Sequence, residues 1–276
     1  MDFHSEIIKR SFRSILRISI FLLFAFLVIA FGGRMVMIKM AQLGNSKAQC
    51  MLGTFCFKSE TTAGYKKAIA WYRLSANQNN SDAQFLLGNC YYKGTGVKKD
   101  YREAAVWFMR SARTNGRACS YYGLGRCYYG GNGIEEDLQT ARIWIKRAAE
   151  KGHAEAQCEL GRFYYNGMGG EKSVEKSLIW FRRSAGNNFA YSQAILSRIY
   201  AEGLVVEKDD KEALKWLRKA ANGGIEHSLF ALGVRYEKGI GVSASNQKAI
   251  KYYIKAAKKG SIKAKLRLDE MGISVD

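Results

Sequence analysis

Leu87-Gly88-Asn89-Cys90-Tyr91-Tyr92-Lys93-Gly94-Thr95-Gly96-Val97, then Asp100, then Ala104-Ala105-Val106-Trp107 and Ser111-Ala112, is the stretch on which the fold turns. Taken alone it is a helix ending on glycines, a capping aspartate and a second helix. Taken with the rest of the chain it is one copy of six. Tryptophan recurs at Trp71, Trp107, Trp144, Trp180 and Trp216, every 36 or 37 residues, and Tyr252 fills the sixth slot. A fixed period of this length is the mark of a repeat array.

The tryptophans set the register for everything else. Three residues before each stands Ala68, Ala104, Ala141, Ser177, Ala213 or Ala249. Five after each is alanine without exception: Ala76, Ala112, Ala149, Ala185, Ala221 and Ala257. Such offsets share one stripe of a 3.6-residue helix. The ring therefore reads as the packing pin of this second helix, helix B. Helix A precedes it, with a core of Ala-x-x-x-Leu-Gly-x-x-Tyr: Ala83, Leu87, Gly88 and Tyr91 in one unit, Ala156, Leu160, Gly161 and Tyr164 in another. Glycine inside a helix costs about 1 kcal/mol against alanine. Its recurrence at Gly53, Gly88, Gly125, Gly161 and Gly233, with Ser197 in the fifth unit, points to close helix–helix approach. Paired loop glycines supply the turn, and Asp100, Asp137, Ser173, Asp209 and Ser245 stand ready to cap helix B. Asp100 with Glu103, and Asp209 with Glu212, have capping-box spacing.

On these residues the chain resembles the Sel-one-like repeat (SLR) family, a relative of the tetratricopeptide repeat. The resemblance covers residues 46–272, in units 46–80, 81–116, 117–152, 153–188, 189–224 and 225–260, with 261–272 as a lone capping helix. It implies an all-α, right-handed solenoid of six helix pairs that acts as a protein-interaction scaffold. Two units depart from the pattern: Ser59 and Thr61 replace the loop glycines of the first, and Val205 replaces the second glycine of the fifth.

Residues 1–40 read differently. Lys9, Arg10, Arg13 and Arg17 precede an uncharged apolar run, Ile18 to Phe31, and Met35 to Ile38 is apolar again. A spanning helix needs about 20 residues. Counting to Ile38 with Arg34 snorkelling makes a signal anchor; a cleaved signal peptide is the alternative. The basic flank favours the N-terminus inside, which in a bacterium puts the array in the periplasm. The six cysteines all map to helix A or its start, and equivalent positions on adjacent repeats are too far apart for disulfides. They read as buried free thiols.

Catalytic signatures are missing from the sequence. Histidine occurs only at His4, His153 and His227, and no nucleophile elbow, phosphate loop or metal-binding motif is present. The reading is therefore no enzyme, no cofactor and no metal. The surface carries the functional signal. Net charge is +20, most of it on the array, and such charge speaks to partners. Arg126, Arg162 and Arg198 follow the helix-A glycine slot in three consecutive units, opposite the Ala/Leu/Tyr stripe. Tyr129 and Tyr165 lie three residues on, and Tyr92 holds the equivalent place one unit earlier. These six residues form a candidate ladder on a concave, helix-A-lined surface, for an acidic protein partner. The alternative is an immunity protein neutralising a secreted toxin. Nucleic acid and anionic lipid are the disfavoured ligands, together with a hydrolase.

Overall fold

The structure, a computed structural model, describes residues 33–274. The apolar run from Ile18 to Phe31 and its basic flank lie outside the described residues. Among the described residues, no helix is long and apolar enough to cross a membrane.

Every regular element among the described residues is a helix. Unit one, ending at Asn115, holds a helical segment at 33–42. After it come α1 (Ser46–Phe57), α2 (Thr62–Asn77), α3 (Ser81–Lys93) and α4 (Tyr101–Asn115). The second unit starts at Gly116 with α5 (Ala118–Tyr129), α6 (Leu138–Glu150), α7 (Ala154–Asn166) and α8 (Val174–Gly186). It continues with α9 (Ala190–Glu202), α10 (Asp210–Asn222), α11 (Glu226–Lys238), α12 (Asn246–Lys258) and α13 (Ile262–Glu270). Odd-numbered helices are A helices and even-numbered ones are B helices. Each A helix packs on the B helix that follows it, and within a unit each B helix packs on the next A helix.

The helix-A glycines are where the two helices of a pair meet. A Cβ on Gly53, Gly88, Gly125, Gly161 or Gly233 would come within 2.5–2.8 Å of Tyr72, Phe108, Ile145, Phe181 or Tyr253 respectively. Those five side chains are 0–4% exposed. Each sits one residue after the tryptophan slot and shares the packing role with it: Trp107 and Trp180 belong to the buried clusters, and Trp71 and Trp216 pack against them. Trp107 and Trp180 are buried, but Trp71, Trp144 and Trp216 are only half-buried. The indoles form the edge of the core and are covered by the basic residue three positions on: Arg110 over Trp107 at 4.7 Å, Arg147 over Trp144 at 4.6 Å and Arg183 over Trp180 at 4.7 Å. Lys219 over Trp216, at 4.5 Å, continues the series. Each such contact contributes about 0.5–1 kcal/mol at an exposed site.

Polar groups tie repeats together by the same periodic logic. Gln84 Nε2 donates to the Ala76 carbonyl at 3.1 Å, Gln157 to Ala149 at 3.0 Å and Gln193 to Ala185 at 3.1 Å, all buried. Gln49 makes the same bond to Ala41 at 3.0 Å. Residues 33–42 thus occupy the place of a helix B before the first repeat. Met37 and Ile38, which the longer apolar span would assign to a bilayer, pack against the cluster of Ala41, Ala48 and Leu52. Arg73, Arg182 and Arg218 each donate to the tyrosine of the next A helix: Tyr91 at 2.6 Å, Tyr200 at 2.8 Å and Tyr236 at 3.2 Å.

The capping aspartates and serines act as the spacing predicts. Asp137 accepts from the backbone N–H groups of Gln139 and Thr140, both at 3.0 Å. The capping boxes form by half: the Glu103 and Glu212 N–H groups donate to Asp100 Oδ1 at 3.1 Å and Asp209 Oδ1 at 2.9 Å, but the glutamate carboxylates turn elsewhere. Glu103 accepts from the Trp107 indole at 3.1 Å, and Glu212 takes Lys215 at 3.0 Å, so neither carboxylate is directed to the cap. In the loops, Gly169 has φ +63°, and a Cβ there would meet the Leu138 carbonyl oxygen at 2.1 Å. Only glycine satisfies both conditions.

Candidate functional site

A concavity of about 610 Å³ opens in the second unit along the A helices α7, α9 and α11. Arg162 and Tyr165 reach it from α7, Tyr191 and Arg198 from α9, and His227, Ser228 and Arg235 from α11. Ile195, Leu204 and Ala231 supply apolar wall. No aspartate or glutamate lines it.

The electrostatics follow from who is already paired. Arg162, half open to solvent at 48% side-chain exposure, lies 3.4 Å from Glu159 on its own helix. Glu159 is the more covered partner, its side chain 16% exposed, so this contact orients the guanidinium while its remaining donors face solvent. Arg198 is exposed. Arg235 is committed to the structure: it donates to Asp210 Oδ1 at 3.1 Å and to the Ile240 carbonyl at 3.3 Å, and is 9% exposed. Ser228, 1% exposed, has a hydroxyl without a hydrogen-bond partner. The cause is visible one repeat earlier, where Ser192 donates to Ser184 Oγ at 2.7 Å. Ala220 stands in the Ser184 slot opposite Ser228 and offers no acceptor.

Of the six residues singled out in sequence, Arg162, Arg198 and Tyr165 line this one concavity. Arg126 is exposed and lies over the Tyr122 ring at 5.9 Å, outside the lining. Tyr129 is half-buried against Phe163, ring centroids 5.3 Å apart. Tyr92 belongs to the first unit, edge-on to Tyr101 at 5.2 Å. Sequence reasoning passed over Tyr191 and His227, which hold the same slot in successive repeats and meet edge-to-face at 6.4 Å. It also passed over Arg235. A signal existed there: the slot is Cys90, Cys127, Phe163 and Ile199 in other units, so a charge in it is an anomaly.

His153 is no part of the concavity. Its Nδ1 accepts from the Ala156 N–H at 3.2 Å, capping α7 where Asn45 and Asn80 cap α1 and α3. Burial lowers its pKa. Burial also pushes the Cys90 thiol up to about 11 and the Cys127 thiol to about 12. None of the six cysteines is in a disulfide. Among the described residues, no group of three or more His, Cys, Asp or Glu is placed to hold a metal ion.

Comparison with known proteins agrees with this architecture. The Sel1 repeat profile matches residues 46–80, 81–114, 120–153, 154–189, 190–225 and 227–261. A Sel1 repeat protein from Oxalobacter formigenes is similar over 79% of this chain and 89% of its own, at 32% identity and TM-score 0.73. A protective antigen of uropathogenic Escherichia coli with an SLR fold is similar over 87% of this chain and 52% of its own, at 28% identity and TM-score 0.75. An immunity protein of Pseudomonas aeruginosa shares the fold at 18% identity and TM-score 0.53. The rat DAP3-binding cell death enhancer 1 is 36% identical over 72 residues, and the match spans only 14% of that protein's length. With six repeat matches over most of its length, the chain belongs to the Sel1 repeat family.

Proposed function

We propose that the array is a protein-binding scaffold whose second unit takes an acidic segment of its partner in the concavity of α7, α9 and α11. The coarser statement follows from membership: Sel1 repeats form scaffolds for protein–protein interaction and are generally not enzymes. One observation carries the finer one. Every ionisable side chain lining the concavity is arginine, histidine or tyrosine. Arg162 and Arg198 offer planar donors to a carboxylate. Tyr165 and Tyr191, 42% and 51% exposed, supply rigid contact area.

Selection from a random-peptide display library tests this. The native chain should enrich sequences rich in aspartate and glutamate, and Arg162→Glu/Arg198→Glu should lose them. Equal enrichment on both chains would remove the groove from the argument. The alternative is a periplasmic immunity protein that neutralises a secreted antibacterial toxin. Protection of cells against a co-encoded toxin would assign it.

We further propose that the chain is held at an inner membrane by the apolar run Ile18–Phe31, ahead of the helical segment at 33–42 that packs on the first repeat, with the N-terminus inside and the array in the periplasm. Cleavage and release into the periplasm is the alternative. The support is the apolar run Ile18–Phe31 behind four basic residues. A phosphatase reporter fused after Asp276 should be active; activity confined to a cytoplasmic reporter would reverse the orientation.

A further inference from the structure

The C-terminal end of the second unit carries a surface of different chemistry from the groove. Residues 246–270 contain seven lysines and one arginine against two acids, Asp269 and Glu270. The lysines are Lys248, Lys251, Lys255, Lys258 and Lys259 on and just after α12, and Lys263 and Lys265 on α13; all are exposed. At 100° per residue the first five fall within an arc of about 100°, opposite the buried face of Ala249, Tyr253, Ala256 and Ala257. No acid stands on α12. The lone arginine is withdrawn from the surface charge, because Arg267 pairs with Glu237 and with Glu270. Asp269 is the other acid of this stretch and is exposed.

The next helix, α13, packs on α12 and exposes Ile262 at 73% and Leu266 at 58%. They are four residues apart and centred on the face opposite Ala264 and Leu268, which are buried. Two bare aliphatic side chains flanked by Lys263 and Lys265 form a small amphipathic surface.

We propose that the α12–α13 surface lies against an anionic lipid bilayer, lysines at the headgroups and Ile262 and Leu266 in the acyl boundary. The lysine chemistry favours this occupant. Lysine is a flexible, hydrated point charge suited to a fluid field of phosphates, whereas the groove uses arginine, the planar reader of fixed carboxylates. Apolar residues framed by lysine are the composition of interfacial helices. Nucleic acid fits less well. A basic strand-binding surface needs open aromatic faces, but Tyr252 is stacked on Tyr236 at 5.6 Å and Tyr253 is 0% exposed.

The test uses the full chain in phospholipid nanodiscs, read by hydrogen–deuterium exchange. Residues 248–267 should gain protection with 30% phosphatidylglycerol and not with phosphatidylcholine alone. The charge reversal K251E/K255E/K258E/K259E should abolish that difference, and raising the salt to 0.5 M should shrink it severalfold. Because each protein is compared with itself in two lipids, insertion of the apolar run Ile18–Phe31 cancels, and acidic-peptide selection by the groove is unaffected. Equal exchange in the two lipids would overturn the proposal. So would protection of the same residues by a 20-mer oligonucleotide in lipid-free detergent solution, which would hand the surface to nucleic acid.

Discussion

Replacing Gly161 by alanine should destabilise the array, although the same change favours an isolated helix. Within α7 the substitution gains about 1 kcal/mol of helix propensity. Against that, a Cβ at residue 161 would lie 2.7 Å from Cδ1 and Cε1 of Phe181 and 3.1 Å from its Cζ. Phe181 is 4% exposed and packed within the core, so the ring has little room to retreat. Overpacking of this kind costs about 1–3 kcal/mol, leaving a net loss of about 1 kcal/mol. Gly186, which ends α8, is the control: a Cβ there meets nothing within 4 Å, so Gly186→Ala should gain up to about 1 kcal/mol. The two substitutions should differ by about 2 kcal/mol. A second arm follows from the fifth repeat, where Ser197 and Leu217 stand in the slots of Gly161 and Phe181. A smaller partner tolerates a Cβ, so Phe181→Leu should accommodate Gly161→Ala. The double-mutant cycle should show a favourable coupling of about 1 kcal/mol. Urea denaturation followed by circular dichroism gives the midpoints, and hydrogen exchange localises the loss to α7 and α8, since repeats open locally. If Gly161→Ala stabilises as much as Gly186→Ala, or if the cycle is additive, the close-approach reasoning fails.

Three further outcomes follow. His153 must be neutral to accept at Nδ1, and burial lowers its folded pKa below the ordinary 6.5. The unfolded chain therefore binds the proton more readily, and stability should fall as pH drops below 6.5. His153→Asn should keep the cap, as Asn45 and Asn80 do, and flatten that slope in thermal melts between pH 7.5 and 5.5. A thiol reagent at pH 8 should modify Cys56 and Cys119, which are half-buried, well before Cys90 and Cys127, which are buried with thiols at about 11 and about 12; equal rates would contradict the packing of helix A. Ser184→Ala should cost about 1–2 kcal/mol in urea melts, because Ser184 donates to the Ala154 carbonyl at 2.7 Å and leaves Ser192 orphaned when removed. Ser184→Ala/Ser192→Ala should recover part of the loss.

The repeat was legible because its strongest signals are steric and recur. A glycine that must admit a neighbour, an alanine in every copy and an aspartate before a helix each have one physical explanation, and six copies make chance irrelevant. Where the reading failed, one residue type was asked to explain two jobs. Tryptophan sets the register, but it fills the core only at Trp107 and Trp180. The core position belongs to its neighbour, which varies among Tyr, Phe, Ile and Leu and so carries no visible motif. The glycine at the facing site was the better clue, since it names the need for a large partner. Arg162, Arg198 and Tyr165 were legible as an exposed line. That they share one concavity with Tyr191 and His227, while Arg126 and Tyr129 do not, depends on the path of three helices and is invisible to spacing.

The division between holding and binding follows from how a repeat is built. Slots that hold the array keep one kind of side chain in every copy, because each pair must solve the same packing problem: the alanine five after the tryptophan never changes, and the residue after the tryptophan is always large and mostly apolar. Slots on the open face of helix A face no such demand, and each copy can differ there without cost to its neighbours. The arginine line runs Arg126, Arg162, Arg198 and then stops at Val234; the slot seven residues earlier holds Tyr191 and then His227. A partner lying across several repeats meets a pattern that does not repeat, so its selectivity must come from the departures. Arg235 is the departure that turns inward. A guanidinium in an apolar slot is costly unless paired, and it is held by Asp210 and the Ile240 carbonyl at the edge of the concavity. An anion in the groove would meet a cation whose position the fold has already fixed, beside Arg198, which is still free to turn.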